Sequence, residues 1–300
     1  MFVHANKPIL GIIFVIIGVV LGLLVGVIIK KTATEINLVT TLFYRFIFSV
    51  PLLLLFAILG RGKAAFKIIE KRTMILRVFF GLLGMLFWVL AIRNLPLGQA
   101  TALFQSSVIF VTILSPFLLF ERVGWFRWIA VVVGLIGIFI LTNPFSQNAS
   151  FEIFYGVLAA LFGAFLSITL RLLGKSENSL SVALIYNAIA AVLMFLVVLV
   201  FPSQLDQVQN SVLFDLVFLG IVTSFSQVFF TGAYHYVDAV VVASLRYIQV
   251  PLAGLTAFFL FAEIMTVLEI FGAVTVIISC LSIGWRELSE RGSNLQRNDR

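Results

Sequence analysis

The segment Ala91–Gly137 reads AIRNLPLGQATALFQSSVIFVTILSPFLLFERVGWFRWIAVVVGLIG, and the chain repeats its layout once. Moving forward 142 residues without a gap gives Ala233–Ser279, AYHYVDAVVVASLRYIQVPLAGLTAFFLFAEIMTVLEIFGAVTVIIS. The copies share Ala91/Ala233, Leu103/Leu245, Phe117/Phe259, Leu118/Leu260 and Glu121/Glu263. Each runs from a short polar corner through about 20 apolar residues, one helical membrane crossing, to a lone glutamate. A brief loop and a second apolar run follow.

Composition decides the solvent. Of 300 residues, 62% are hydrophobic and 11% charged, which is more apolar surface than a soluble domain of this length can cover. The chain reads as an integral membrane protein. Its net charge of +7 sits mainly between apolar runs, so it marks topology and not nucleic-acid binding. Cys280 is the only cysteine and excludes an intramolecular disulfide; His4 and His235 are too few for a metal site, and no cofactor is expected.

A hydrocarbon core about 30 Å thick needs roughly 20 helical residues. Ten runs qualify: 9–29, 38–59, 74–92, 97–120, 126–142, 152–172, 180–201, 213–234, 239–261 and 267–285. The first has the apolar character of a signal peptide but no small-residue cleavage site after it, so it reads as an uncleaved span. Gly18, Gly22 and Gly26 recur there every four residues and predict a face for close helix packing.

Loop charge alternates. Fourteen of the 20 basic residues fall on one side: Lys7, Arg61, Lys63, Lys67, Lys71, Arg72, Arg122, Arg127, Arg171, Lys175, Arg286, Arg291, Arg297 and Arg300. The opposite loops hold Lys30, Lys31 and Arg93, while Arg45, Arg77 and Arg246 lie within spans or at their edges. The positive-inside rule then places both termini in the cytoplasm, as an even span count requires. The polar tail after Arg286 is expected to fray.

The duplication covers more than the opening segment. Gly11, Gly18 and Lys30 match Gly156, Gly163 and Lys175 at a shift of 145, and Tyr44 matches Tyr186 at 142. The expected units are residues 1–145, residues 146–290 and a cytoplasmic tail at 291–300. Five spans per half force the halves into opposite orientations. The expected fold is all-α: ten transmembrane helices as two inverted five-helix repeats. Inverted repeats recur in secondary transporters, whose solute sites lie near the midplane between the repeats.

Both copies resemble the EamA domain of the drug/metabolite transporter superfamily. The features are FYRF (Phe43–Phe46), RNLPLGQATAL (Arg93–Leu103), Pro116, Glu121-Arg122 and WIAVVVGLIGI (Trp128–Ile138). The second half keeps YVDAVVVASLRY (Tyr236–Tyr247), Pro251, Glu263 and IFGAVTVII (Ile270–Ile278), but has Asn187 in place of Arg45 and Ile264 after Glu263. Within the family, LFYRFIFSV and LRYIQVPLAGLTAFFLFAE are similar to the S-adenosylmethionine transporter branch. The resemblance implies a central cavity lined by spans 1–4 and 6–9, with spans 5 and 10 at the ends. It also implies alternating access by rocking of the halves.

Polar groups inside the apolar runs mark the expected solute site. An arginine at the bilayer centre costs about 2.5–3.5 kcal/mol on insertion scales, and no carboxylate lies near Arg45 or Arg246 in its own run. Arg246 is expected to bind an anionic or carboxylate group through its planar fork. Gln249 lies one turn on, and Tyr247 lines an adjacent wall. Arg45 reads either as a solute contact or as a clamp on neighbouring helix ends, with Tyr44 as its companion. Thr101 and Gln105 form one polar stripe, beside Ser106. Gln105 matches Tyr247 and Ser107 matches Gln249 across the repeat, which suggests one cavity lined from both halves. Trp88, Ser226 and Gln227 complete the candidates. Glu121 and Glu263 read as boundary residues that pair with bases or cap the next helix; His235 and Asp238 read as interfacial.

No HExxH, DxxD, Ser-His-Asp set or Cys/His cluster points to an enzyme, and no GxxxxGK[ST] loop points to a pump. The expected function is a secondary transporter of a small polar metabolite in a bacterial inner membrane; the alternatives are a channel or a non-transporting membrane protein on the same scaffold. Expected partners are the solute, the lipid bilayer and a coupling proton or counter-solute, with no nucleic acid. The chain is expected to act as a monomer or homodimer.

Overall fold

A computed structural model describes residues 8–118, 124–142, 151–174, 176–233, 236 and 245–298. Among these residues, eight helices are long and apolar enough to cross a membrane, and two shorter apolar helices, Gln249–Phe261 and Val267–Ile283, complete the ten. The elements are α1 (Pro8–Thr32), α2 (Leu38–Arg61), α3 (Lys71–Asn94), α4 (Leu97–Gln105), α5 (Ser107–Leu118) and α6 (Trp125–Thr142). They continue with α7 (Ile153–Leu173), α8 (Ser179–Val200), α9 (Asn210–Ala233), α10 (Gln249–Phe261) and α11 (Val267–Asn298). The chain is an all-α multi-pass membrane protein. The run 97–120 is divided: α4 and α5 make one span with a break at Ser106.

Local chemistry sets the ends of these helices. The Asn37 side chain caps α2 by accepting from the Thr40 amide at 2.8 Å, and Asn178 caps α8 by accepting from Leu180 at 3.0 Å. Such caps satisfy donors that have no partner inside the helix. Gly62 ends α2 at φ +57°, a conformation a side chain would strain. The tail differs from the frayed end expected: α11 runs on to Asn298. Extending a helix that is already nucleated adds one hydrogen bond per residue.

The packing partners repeat as the sequence does. Helix α3 lies on α7 and α1 lies on α9, while α2 meets α8, α4 meets α10 and α6 meets α11. Exchanging the copies sends span 1 to span 6 and span 3 to span 8, so these pairs map onto themselves or one another. Small residues allow the closest approach, between α6 and α11. A Cβ on Gly137 would stand 2.9 Å from the Val276 nitrogen, and one on Gly272 would strike Leu141. Ser279 Oγ donates to the Ala130 carbonyl at 2.6 Å in the same seam.

Polar loops gather at two ends. At one end Lys30 pairs with Glu263 at 2.7 Å and Lys31 with Asp215 at 2.8 Å. There Arg93 donates to the Ala33 and Ile36 carbonyls, each at 2.7 Å. Glu263 Oε2 also accepts from the Leu97 amide at 2.8 Å, capping α4; it both pairs with a base and caps a helix. At the other end Arg61 donates to Ser181 Oγ at 2.9 Å, and Glu177 accepts from the amides of Ile69 and Glu70. Glu121, His235 and Asp238 lie outside the described residues.

Candidate functional site

Two helix breaks face each other. Helix α5 starts at Ser107 and α10 at Gln249, 142 residues apart, the offset that relates the two copies. In the first break the Ile109 amide bonds to Ser106 O at 2.9 Å; in the second the Val250 amide bonds to Tyr247 O at 3.1 Å. Those tighter turns release the carbonyls of Gln105 and Arg246 from the helical ladder, because a regular helix would give them these same two amides. A freed carbonyl in a membrane interior needs another donor.

The opposite copy supplies it. Gln105 Nε2 donates to Arg246 O at 2.9 Å and lies 3.2 Å from Gln249 Oε1, while Tyr247 Oη donates to Gln105 O at 3.5 Å. Gln105 and Tyr247 occupy the same position in the two copies and touch each other. Equivalent residues in contact lie on the axis relating the copies. Gln105, Tyr247 and Gln249 are buried, while Arg246 is partly exposed.

The Arg246 guanidinium carbon stands 5.3 Å from the centroid of the Phe230 ring, and its Nε is buried with no hydrogen-bond partner. The glycine face of α1 closes this region. A Cβ on Gly18 would come within 3.1 Å of the Phe230 ring, and one on Gly22 within 3.5 Å of Gln249 Nε2. Ser226 Oγ donates to Gly18 O at 3.3 Å. The Gly18–Gly22 face is thus a packing seam that also borders the polar cluster. The arrangement gathers a guanidinium, two side-chain amides and a phenol at one point between the copies.

The remaining sequence candidates lie elsewhere. Thr101 spends its hydroxyl on Leu97 O at 2.7 Å, within its own helix. The Trp88 ring lies 5.9 Å from Phe104, and a Cβ on Gly26 would be 3.9 Å from it. Gln227 accepts from Asn187 Nδ2 at 3.1 Å, and Asn187 Oδ1 accepts from Ser49 Oγ at 3.2 Å, forming a second polar group between α2, α8 and α9. Tyr44 is not the companion of Arg45: its ring stacks on Phe48 at 5.4 Å, while the Arg45 guanidinium lies over Phe46 at 4.7 Å. Phe230 is not singled out in the sequence, and Asn187 is noted there only as the residue in place of Arg45. A phenylalanine among 32 carries no signal, whereas an asparagine in an apolar run does.

Ten apolar helices, a duplicated layout and a polar meeting point at two helix breaks define a multi-pass membrane protein built of two matching halves. The model of the EamA-like transporter family matches residues 9–143 and again 150–285. This chain belongs to that family. It is 30% identical over 287 residues to an S-adenosylmethionine uptake transporter of Rickettsia prowazekii, covering 94% of this chain and 95% of that one. It is 22% identical to a pseudopaline exporter of Pseudomonas aeruginosa, covering 91% and 95% of the two chains. A riboflavin transporter of Vibrio cholerae is 29% identical over 68% of each chain. A solved crystal structure at 16% identity matches with a TM-score of 0.55, covering 94% of this chain and 97% of that one, and supports the fold alone. The protein is a small-molecule transporter and not an enzyme.

Proposed function

We propose that the transporter takes up S-adenosylmethionine or a close amino-acid relative, and that the Arg246 cluster holds it. The observation that carries this reading is the near full-length identity to the rickettsial S-adenosylmethionine uptake transporter. The cluster fits the chemistry. The cargo carboxylate would accept two parallel bonds from the Arg246 fork, and Gln105 and Gln249 would hydrogen-bond its polar atoms. Phe230 and Tyr247 offer aromatic faces to the sulfonium or the adenine. Thr101, Gln227 and Trp88 belong to the surrounding wall in this reading.

The halves, 1–145 and 146–290, rock about the Gln105–Tyr247 contact to open the site to each side in turn. Both termini face the cytoplasm of a bacterial inner membrane. The test is uptake of radiolabelled S-adenosylmethionine into proteoliposomes holding the full chain. A carrier of this cargo gives saturable uptake, competition by unlabelled S-adenosylmethionine and acceleration by internal cargo. Competition by riboflavin alone would overturn the cargo, and flux that never saturates would make the protein a channel.

A further inference from the structure

Among the described residues, Arg246 is not the only guanidinium in the bundle without a counter-charge. Arg45 on α2 and Arg77 on α3 are only 7% and 8% exposed. Arg77 lies over the Tyr186 ring, with its Cζ 4.1 Å from the centroid; the Phe46 ring meets Tyr186 edge-on at 5.8 Å, and the Arg45 guanidinium lies 4.7 Å over Phe46. Tyr186 Oη donates to Gly81 O at 3.1 Å. A Cβ on Gly81 would strike Arg77 Nη1 and come within 2.8 Å of the Tyr186 ring, so the absent side chain leaves room for the guanidinium.

The charges are unbalanced. Among the described residues the ion pairs are Lys30–Glu263 and Lys31–Asp215, and neither involves these arginines. Glu177, Asp206 and Glu269 are engaged at helix ends. Nε and Nη1 of both Arg45 and Arg77 are buried with no hydrogen-bond partner. Arginines that only clamped helices together would donate to carbonyls, as Arg93 does. Facing a ring offsets part of the cost of burying a guanidinium but leaves its N–H donors unsatisfied. The second copy lacks the pair: Asn187 stands opposite Arg45 and Leu219 opposite Arg77 at the 142-residue offset.

We propose that Arg45, Arg77 and Tyr186 form an anion site between α2, α3 and α8, separate from the Arg246 cluster, that binds a small carboxylate. Two guanidiniums present fork-shaped donors that match carboxylate oxygens. The aromatic walls of Phe46 and Tyr186 favour a compact, partly dehydrated anion. The site does not depend on which solute Arg246 takes.

The test uses the purified full chain in nanodiscs, in a chloride-free HEPES buffer, titrated separately with sodium succinate, phosphate and chloride. Thermal unfolding is followed by tryptophan fluorescence. Succinate should raise the melting temperature saturably in the wild type and in Arg246→Gln, but not in Arg45→Gln or Arg77→Gln. Should either Gln variant fail to fold, Arg45→Lys and Arg77→Lys keep the charge without the fork, and should need about tenfold more succinate for the same shift. The proposal is overturned if succinate gives the wild type no saturable shift, or if phosphate or chloride alone does so. It is equally overturned if the folded Arg45 and Arg77 variants respond as the wild type does.

Discussion

Arg246 combines three properties at one atom group: a ring beneath it, partial exposure and a buried Nε with no partner. Arg246→Lys keeps the charge but loses the planar fork, so transport should fall at least about tenfold, the equivalent of 1.4 kcal/mol. Abundance and melting temperature should stay near wild type. Initial uptake rates normalised to reconstituted protein check this. Gly81 makes the opposite prediction, for stability. Gly81→Ala forces Arg77 and Tyr186 apart and should destabilise the fold by about 1–3 kcal/mol, as other overpacked cores do, visible as a lower melting temperature in detergent. Both glycine and arginine are visible letters in the sequence. What the letters do not show is that Gly81 and Tyr186, 105 residues apart, are neighbours, so Arg77 reads as one more edge residue until the helices are packed.

The elements that position the site are the broken spans. The break at Ser106 is not legible in SSVIF, because two serines in an apolar run normally bond back to their own helix. Pro116 and Pro51, which look like breakers, lie inside continuous helices. The second break is more legible, since Pro251 falls in the first turn of α10, where proline is tolerated. Glu263 ties both broken spans to α1, by its pair with Lys30 and its cap on α4. Glu263→Gln removes the ion pair and the negative charge at the helix N-terminus, so stability should fall by about 1 kcal/mol, and Lys30→Met should add a further loss because Lys30 also donates to Leu95 O at 2.6 Å. A double-mutant cycle on melting temperatures measures this. The α6–α11 seam depends instead on absent side chains: Gly272→Leu should part those helices at Leu141 and reduce folded yield, read by size-exclusion profile.

Across the whole molecule, hydropathy contained the ten spans, because a bilayer leaves a chain few ways to satisfy its backbone, and residue matches at shifts of 142 and 145 contained the duplication. The site was legible only in part. Gln105, Arg246, Tyr247 and Gln249 come together because the two copies meet on their own axis, which the 142-residue register implies. Thr101 bonds within its own helix, Trp88 lies against Phe104 and Gln227 pairs with Asn187, and composition alone does not show which helices these residues meet. The two-ended grouping of the loops predicts that single cysteines added at positions 2 and 299, in a Cys280→Ala background, react with an impermeant maleimide from the same side of the membrane. The central claim is that solute binds where the helix breaks meet. Its most direct measurement is saturable uptake of radiolabelled S-adenosylmethionine by proteoliposomes of the wild type and of Arg246→Ala at matched protein density. The account predicts robust wild-type uptake and near-background uptake by the folded variant; equal uptake by the two would contradict it.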